Sequence, residues 1–354
     1  MKRRTFLKTV GGAAGACALN VPPSLTAETA ATEPASERVA GLPRRTLGRT
    51  GQKLSVVGFP GLALVHCDQS QSTEGLHKAF DQGVNYFDVA PAYDNWKCIT
   101  KMGIGLQGLD RSRYFLACKT KMRDKDGARE ELERALRLLK TDHFDLYQLH
   151  HLVQPADVKK ALGPGGAMEA ILKAKGEGKV KYIGFSAHTT KAALEALRGF
   201  QFDTVMFPIN FAEFYLRDFG KEVMVVANER GAAILAIKPM SRGGWHQGEE
   251  RTRQWWYRSV ETEKEVNLAW RFTLSQKGVV AGIPPSYLDL LDKAIAAGKA
   301  YRPPTEAELT ELRQIAKGCE SIFEREERQV ALNLPPGKSP YPDYPHECFH
   351  GQFA

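Results

Sequence analysis

Between about residues 55 and 299 the chain repeats one alternation eight times: a short apolar run, then a longer amphipathic stretch at helical spacing. The strand-like runs fall near 55–59, 84–88, 113–119, 143–149, 180–186, 203–208, 232–238 and 278–283. Helical patterns fall near 72–82, 97–108, 126–140, 166–177, 190–198, 219–230, 262–276 and 287–299. Such a rhythm calls for parallel strands joined by crossover helices, and eight units favour closure into an α/β fold, the (β/α)8 TIM barrel. An open doubly wound sheet would need G-x-G-x-x-G after a strand, and no strand-like run is followed by one.

The flanks divide the rest. Residues 1–27 read as a signal segment, 28–42 as a linker, 43–330 as the barrel and 331–354 as a Pro-rich tail. Two short strand-like runs around "GRTGQ" predict a β-hairpin ahead of the barrel, and an extra helix is expected after it. The segment "GGWHQGEERTRQWWYRS" is too long for a bare connection and holds three tryptophans. It suits a lid over the barrel mouth, or equally a structure packed on the rim.

At the N-terminus "RRTFLK" precedes "TVGGAAGACALNV", a modestly apolar run of small residues, then Pro22, Pro23 and a small-residue cleavage pattern. This resembles a twin-arginine export signal and implies an exported, periplasmic protein handled by that machinery. The run is too short for a bilayer span of roughly 20 apolar residues. Of the net charge of +8, Lys2, Arg3, Arg4 and Lys8 supply four, which leaves about +4 on the remainder. With no recognition helix or zinc-finger spacing, no nucleic-acid partner is expected. The six cysteines lack a C-x-x-C pair, so neither an iron–sulfur cluster nor a zinc ribbon is indicated; free thiols and a Cys319–Cys348 disulfide both stay open.

Chemistry in such a barrel sits where strands end at their C-terminal face. Period-two alternation puts Asp88 on one face with Val84 and Tyr86, Lys119 with Phe115 and Ala117, and His150 with Leu146 and Gln148. Three successive strands therefore aim an acid, a base and an imidazole at one mouth, with Tyr93 in the loop after Asp88. A buried Asp88 needs a partner, and Lys119 provides it. The ammonium is expected to lower the Tyr93 phenol from its free pKa of about 10, making it a proton donor near neutrality. His150 can orient a carbonyl. Nothing here is a nucleophile or carries a hydride, so a redox cofactor is required.

The motifs "RTLGRTGQKLSVVGF", "GVNYFDVAPAY", "FLACKTK", "LLKTDHFDLYQLHHL", "GKVKYIGFS" and "AIKPMSRGG" resemble, in order and spacing, those of the aldo-keto reductase superfamily from about Arg45 to about Ala300. The resemblance implies a catalytic tetrad of Asp88, Tyr93, Lys119 and His150, with hydride from NADPH reducing a carbonyl. The positions that correspond to the family's cofactor contacts are Ser186, Met206, Ile237, Lys238, Pro239, Met240, Arg242 and Ser286. Several depart from the family pattern: Ser186 is followed by Ala187 instead of Asn, Met206 stands for Gln, Ile237 for Tyr, and the usual Lys and Arg after the last strand are missing. NADP is the expected cofactor, with NAD as the second option.

Trp96, His151 and Trp245 are candidates for the substrate pocket, and the flat faces of Trp96, Trp245, Trp255 and Trp256 would suit a sugar or polyol as the carbonyl or alcohol substrate. His66, His151 and His188 look too scattered for a metallohydrolase barrel, and "HECFH" sits in the tail, so no metal is expected. The rival reading is a non-catalytic barrel that binds a nucleotide or another ligand.

Overall fold

The computed structural model describes residues 37–246 and 248–335. The export segment, most of the linker, the "HECFH" run, Cys17 and Cys348 lie outside the described residues.

Eight parallel strands form the barrel wall: β4 (Phe59–Pro60), β5 (Tyr86–Asp88), β6 (Phe115–Thr120), β7 (Phe144–Leu152), β8 (Val180–Ala187), β9 (Thr204–Pro208), β10 (Ala233–Ile237) and β11 (Val279–Ile283), each paired with the next. The ring closes between its ends. Val57 bridges Gly282, the Gly58 N–H donates to the Gly282 carbonyl at 2.9 Å, and the Gly282 N–H donates to the Val56 carbonyl at 3.0 Å. This seam requires glycine. A Cβ on Gly58 would stand 2.5 Å from Ile283 and 2.6 Å from the Tyr86 ring, inside the closed wall.

Helices cover the outside: α1 (Gln69–Asp81), α2 (Lys97–Gly105), α3 (Lys125–Leu139), α4 (Pro155–Leu162), α5 (Ala167–Gly176), α6 (Thr190–Gly199), α7 (Phe211–Arg217), α8 (Lys221–Glu229), α9 (Glu263–Ser275) and α10 (Leu288–Lys299). Half of these starts are fixed by a side-chain cap; for example, Asp68 accepts from the Gln71 N–H, Asp124 from Gly127 and Asn210 from Glu213. Among the described residues no helix is long and apolar enough to cross a membrane.

Two apolar clusters result. One fills the space between strands and helices. The other fills the barrel interior with Tyr86, Phe115, Ala117, Leu146, Met206, Leu235 and Ala281. Leu47 and Leu54 of the N-terminal hairpin join that inner cluster beside residues that begin strands, so the hairpin stoppers the end of the barrel opposite the strand C-termini.

The structure corrects several boundaries. The hairpin is a three-stranded antiparallel sheet, β1 (Glu37–Val39), β2 (Leu42–Thr46) and β3 (Lys53–Ser55), so it begins inside the stretch read as linker. Three residues are too few for a period to register. Helices α4 and α7 lie in stretches read as loops, and two helices follow the barrel instead of one: α11 (Glu306–Lys317) and α12 (Glu324–Ala331).

Candidate functional site

Asp88 is the last residue of β5, Lys119 lies in β6 and His150 in β7, all buried at the strand C-termini. Neighbouring strands in register bring Asp88 against the Lys119 ammonium, which pairs with the Asp88 carboxylate and sits 3.3 Å from the Tyr93 hydroxyl. Tyr93 stands edge-on to His150, with ring centroids 5.7 Å apart. After Tyr93 the backbone of Asp94, Asn95 and Trp96 turns left-handed, at φ 47°, 45° and 72°. Three successive non-glycine residues in that region carry strain on the order of 1–3 kcal/mol each, which the surrounding packing must sustain. The sequence-derived tetrad is thus assembled in one place.

Burial acts on the ion pair from two sides. It pulls the Lys119 ammonium down, but Asp88 and the Tyr93 oxygen outweigh it and hold the lysine above its ordinary value. Burial also pushes the Asp88 carboxyl up against the pull of Lys119. Donor count decides between these opposing tendencies: besides Lys119, the Tyr86 hydroxyl donates to the carboxylate at 3.1 Å and the Gln148 amide at 3.4 Å, which favours the ionised pair. His150 is pushed well below the usual histidine range, first by burial and then by Lys119, so it stays neutral.

The expectation for Tyr93 is reversed. Lys119 does lower the phenol, but burial of the would-be phenolate is the larger effect and pushes it up to about 12. At neutral pH the group keeps its proton.

Above the four residues lies a cavity of about 80 Å³. Asp88, Tyr93, His150, Ser186, Met206, Ile237, Lys238 and Ser286 line it. Lys238 is half-buried, and desolvation lowers its ammonium to about 7. Other expected cofactor contacts lie elsewhere. Arg242 is turned to Glu265, donating at 3.0 Å; Met240 is fully buried in the core; and Pro239 is not part of the lining.

None of the three expected substrate-pocket residues lines the cavity. Trp96 lies under the Arg134 guanidinium, 4.2 Å from its ring centre. Trp245 is turned aside and donates its indole N–H to the Trp255 carbonyl at 2.7 Å. A register shift between Leu149 and Leu152 sets His151 at φ 58° and re-aims it onto His188, with ring centroids 4.4 Å apart. The two histidines that looked scattered are therefore neighbours. Arg123 donates to the carbonyls of His150 and His151 and so holds this bulge.

The sequence reading missed His188 and Tyr257 as lining residues, whereas Trp255 and Trp256, two of the flat faces it offers to a sugar, do line the cavity. His188 had a signal, since it follows Ser186 by two residues. The tryptophan run belongs to the lid segment, of which Trp255, Trp256 and Tyr257 are buried over the cavity. Arg253 donates to both oxygens of Asp289, the Tyr287 hydroxyl donates to the Gln254 carbonyl at 2.9 Å, and His66 stacks on Tyr287 with centroids 4.4 Å apart. Trp255 lines the cavity beside Tyr257, whose hydroxyl its buried indole N–H approaches, with ring centroids 5.8 Å apart.

The model of the aldo/keto reductase family matches residues 61–302. The uncharacterized oxidoreductase YqkF of Bacillus subtilis is 26% identical over 241 residues, covering 63% of this chain and 75% of that protein. The L-galactose dehydrogenase of Arabidopsis thaliana is 24% identical over 213 residues, covering 56% and 66%. Among solved structures, an aldo-keto reductase of Bacillus halodurans in its holo form superposes with a TM-score of 0.64 at 23% identity, covering 80% of this chain and 99% of that one.

Proposed function

This chain belongs to the aldo/keto reductase family and is a nicotinamide-dependent oxidoreductase of carbonyl and alcohol groups; we propose that Tyr93 is its proton donor and NADP(H) its cofactor. The observation that carries the reading is the contact of the Tyr93 hydroxyl with the Lys119 ammonium, itself paired with Asp88.

The cavity fits the nicotinamide end of such a cofactor: Ser186 and Ser286 supply hydroxyls, Met206 and Ile237 an apolar wall, and Lys238 a cation for a phosphate oxygen. When bound, the cofactor supplies the hydride. The protein supplies the rest. Tyr93 holds the proton that the new alkoxide takes, and an alkoxide is basic enough to take it from a phenol raised to about 12. Lys119 stabilises the phenolate left behind, and the neutral His150 offers a hydrogen bond to the reacting oxygen. A volume of about 80 Å³ is well below the roughly 300–1,000 Å³ of typical ligand pockets, so the lid segment has to shift for a dinucleotide to enter.

The substrate class we assign is a sugar or polyol. Its support is the pair of indole faces, Trp255 and Trp256, in the lining and the sugar named for the Arabidopsis relative. The twin-arginine signature, Arg3 and Arg4 ahead of the small-residue run, supports export of the folded enzyme to the periplasm with its cofactor retained.

Tyr93→Phe is expected to lower kcat for carbonyl reduction by about 10²–10⁴-fold while NADPH binding, followed by fluorescence, stays intact. Unchanged turnover would remove Tyr93 from the role. Tighter binding of NADH than of NADPH in the same titration would reverse the cofactor assignment. Mass spectrometry of the exported protein should find a bound nicotinamide and a chain that starts after the signal.

A further inference from the structure

Beside the reductase cavity, three side chains from distant parts of the sequence converge. His151 sits in the bulge of β7, His188 follows β8, and Glu326 stands on α12, beyond the barrel. One ligand atom from each lies within 4.8 Å of the others. Lys238 Nζ is 3.3 Å from Nε2 of His188, so Nδ1 is the ring nitrogen turned to Glu326, at 3.9 Å.

We infer that His151, His188 and Glu326 form a binding site for a divalent transition-metal ion of the zinc type, which clips α12 to the barrel mouth. Two imidazoles and one carboxylate are a ligand set that zinc takes in tetrahedral sites with the fourth position open. Bond lengths of roughly 2.0–2.2 Å place tetrahedral ligand atoms about 3.4 Å apart. Separations of up to 4.8 Å close to that value by side-chain rotation of about 1 Å, a movement that leaves the backbone in place. His151 already stands in a strained position, at φ 58°, with Arg123 donating to its carbonyl, so part of the cost of orienting it is met by the fold. The ligands span residues 151 to 326, and a clip across so long a loop restricts the unfolded chain more than a local one does.

The site is distinct in role from the tetrad. Of its three members only His188 lines the cavity, and Glu326 lies outside the residues that the family model matches.

The test uses the full chain, stripped with chelator and titrated with Zn(II) and, for its visible absorption, Co(II). One equivalent of zinc should bind and raise the melting temperature, and Co(II) should give the intense bands of a tetrahedral ion. His188→Ala and Glu326→Gln should each weaken binding more than about 100-fold, the upper end of what losing a mere outer partner costs. Glu326→Gln keeps the shape of a partly exposed helix residue, so it remains informative if His188→Ala misfolds. The double variant His346→Ala, His350→Ala should bind as the parent does. Retention of zinc by Glu326→Gln, loss of it in the tail variant, or no saturable binding at all would each overturn the site.

Discussion

The four groups at the floor of the cavity stand on or next to three adjacent strands, all within residues 88–150, whereas its cover comes from an irregular segment after β10 and is held by side-chain contacts to α10, Tyr287 and His66. On the floor, the parallel ladder fixes where each side chain stands: Asp88 is in register with Ala117, and Lys119 with Gln148. Over the cavity, position depends on Arg253 reaching Asp289 and on Trp255 meeting His66 and Tyr287 edge-on. Chemistry set by backbone pairing tolerates little change. A cover set by side chains can be rebuilt, which suits the choice of substrate and the passage of cofactor.

The contrast is tested most severely at Lys119. Its replacement by Met leaves the Asp88 carboxylate buried without its cation, so unfolding in urea should show a loss of about 3–5 kcal/mol, together with the disappearance of carbonyl reduction. A stable, active variant would mean that the floor is not held as described. On the cover, Trp255→Ala should instead raise KM by about 10-fold with kcat changed little, the pattern of lost uniform binding. A fall in kcat equal to that in Tyr93→Phe would erase the distinction between the two regions.

A subtler probe is Glu213, a buried carboxyl on α7 that accepts from the Ser321 hydroxyl and the Ile322 N–H, both at 2.7 Å. Burial raises it from 4.5 to about 7. The folded protein thus holds this proton more tightly than the unfolded chain, and the associated stability is full below pH 4.5 and lost as pH rises through about 7. Glu213→Gln should flatten that decline, a difference on the order of 3 kcal/mol between the two ends of the window, read from urea midpoints. The smallest expected change is in the pH profile of reduction. With Tyr93 raised to about 12, activity should show no loss of a proton donor through the neutral and mildly alkaline range. A midpoint below the ordinary phenol value of about 10 would mean that Lys119 prevails over burial.

What the sequence revealed follows the same divide. Alternation along three strands located Asp88, Lys119 and His150, because a strand's inward face is a local property. The direction of the Tyr93 shift was not local: the lysine was visible, but the dryness of its surroundings depends on Trp255, Trp256 and Tyr257 arriving from far along the chain. The meeting of His151 with His188 is hidden from the sequence because one register shift in β7 breaks the strand's alternation. Arg242 is a cofactor contact by the resemblance of "AIKPMSRGG" alone, and its guanidinium answers to Glu265, which the motif does not contain. The helices α4 and α7 went unread because each is only two turns long, too short for a helical period to stand out.

The seam between Val57 and Gly282 sets an order of events for the newborn chain. Until the ribosome has delivered residue 282, the first strand has no second neighbour and the growing wall keeps two raw edges open to passing chains. Synthesis must therefore pass Gly282 before the cylinder can shut, and an interruption ahead of that residue would release a sticky half-pipe in place of an enzyme.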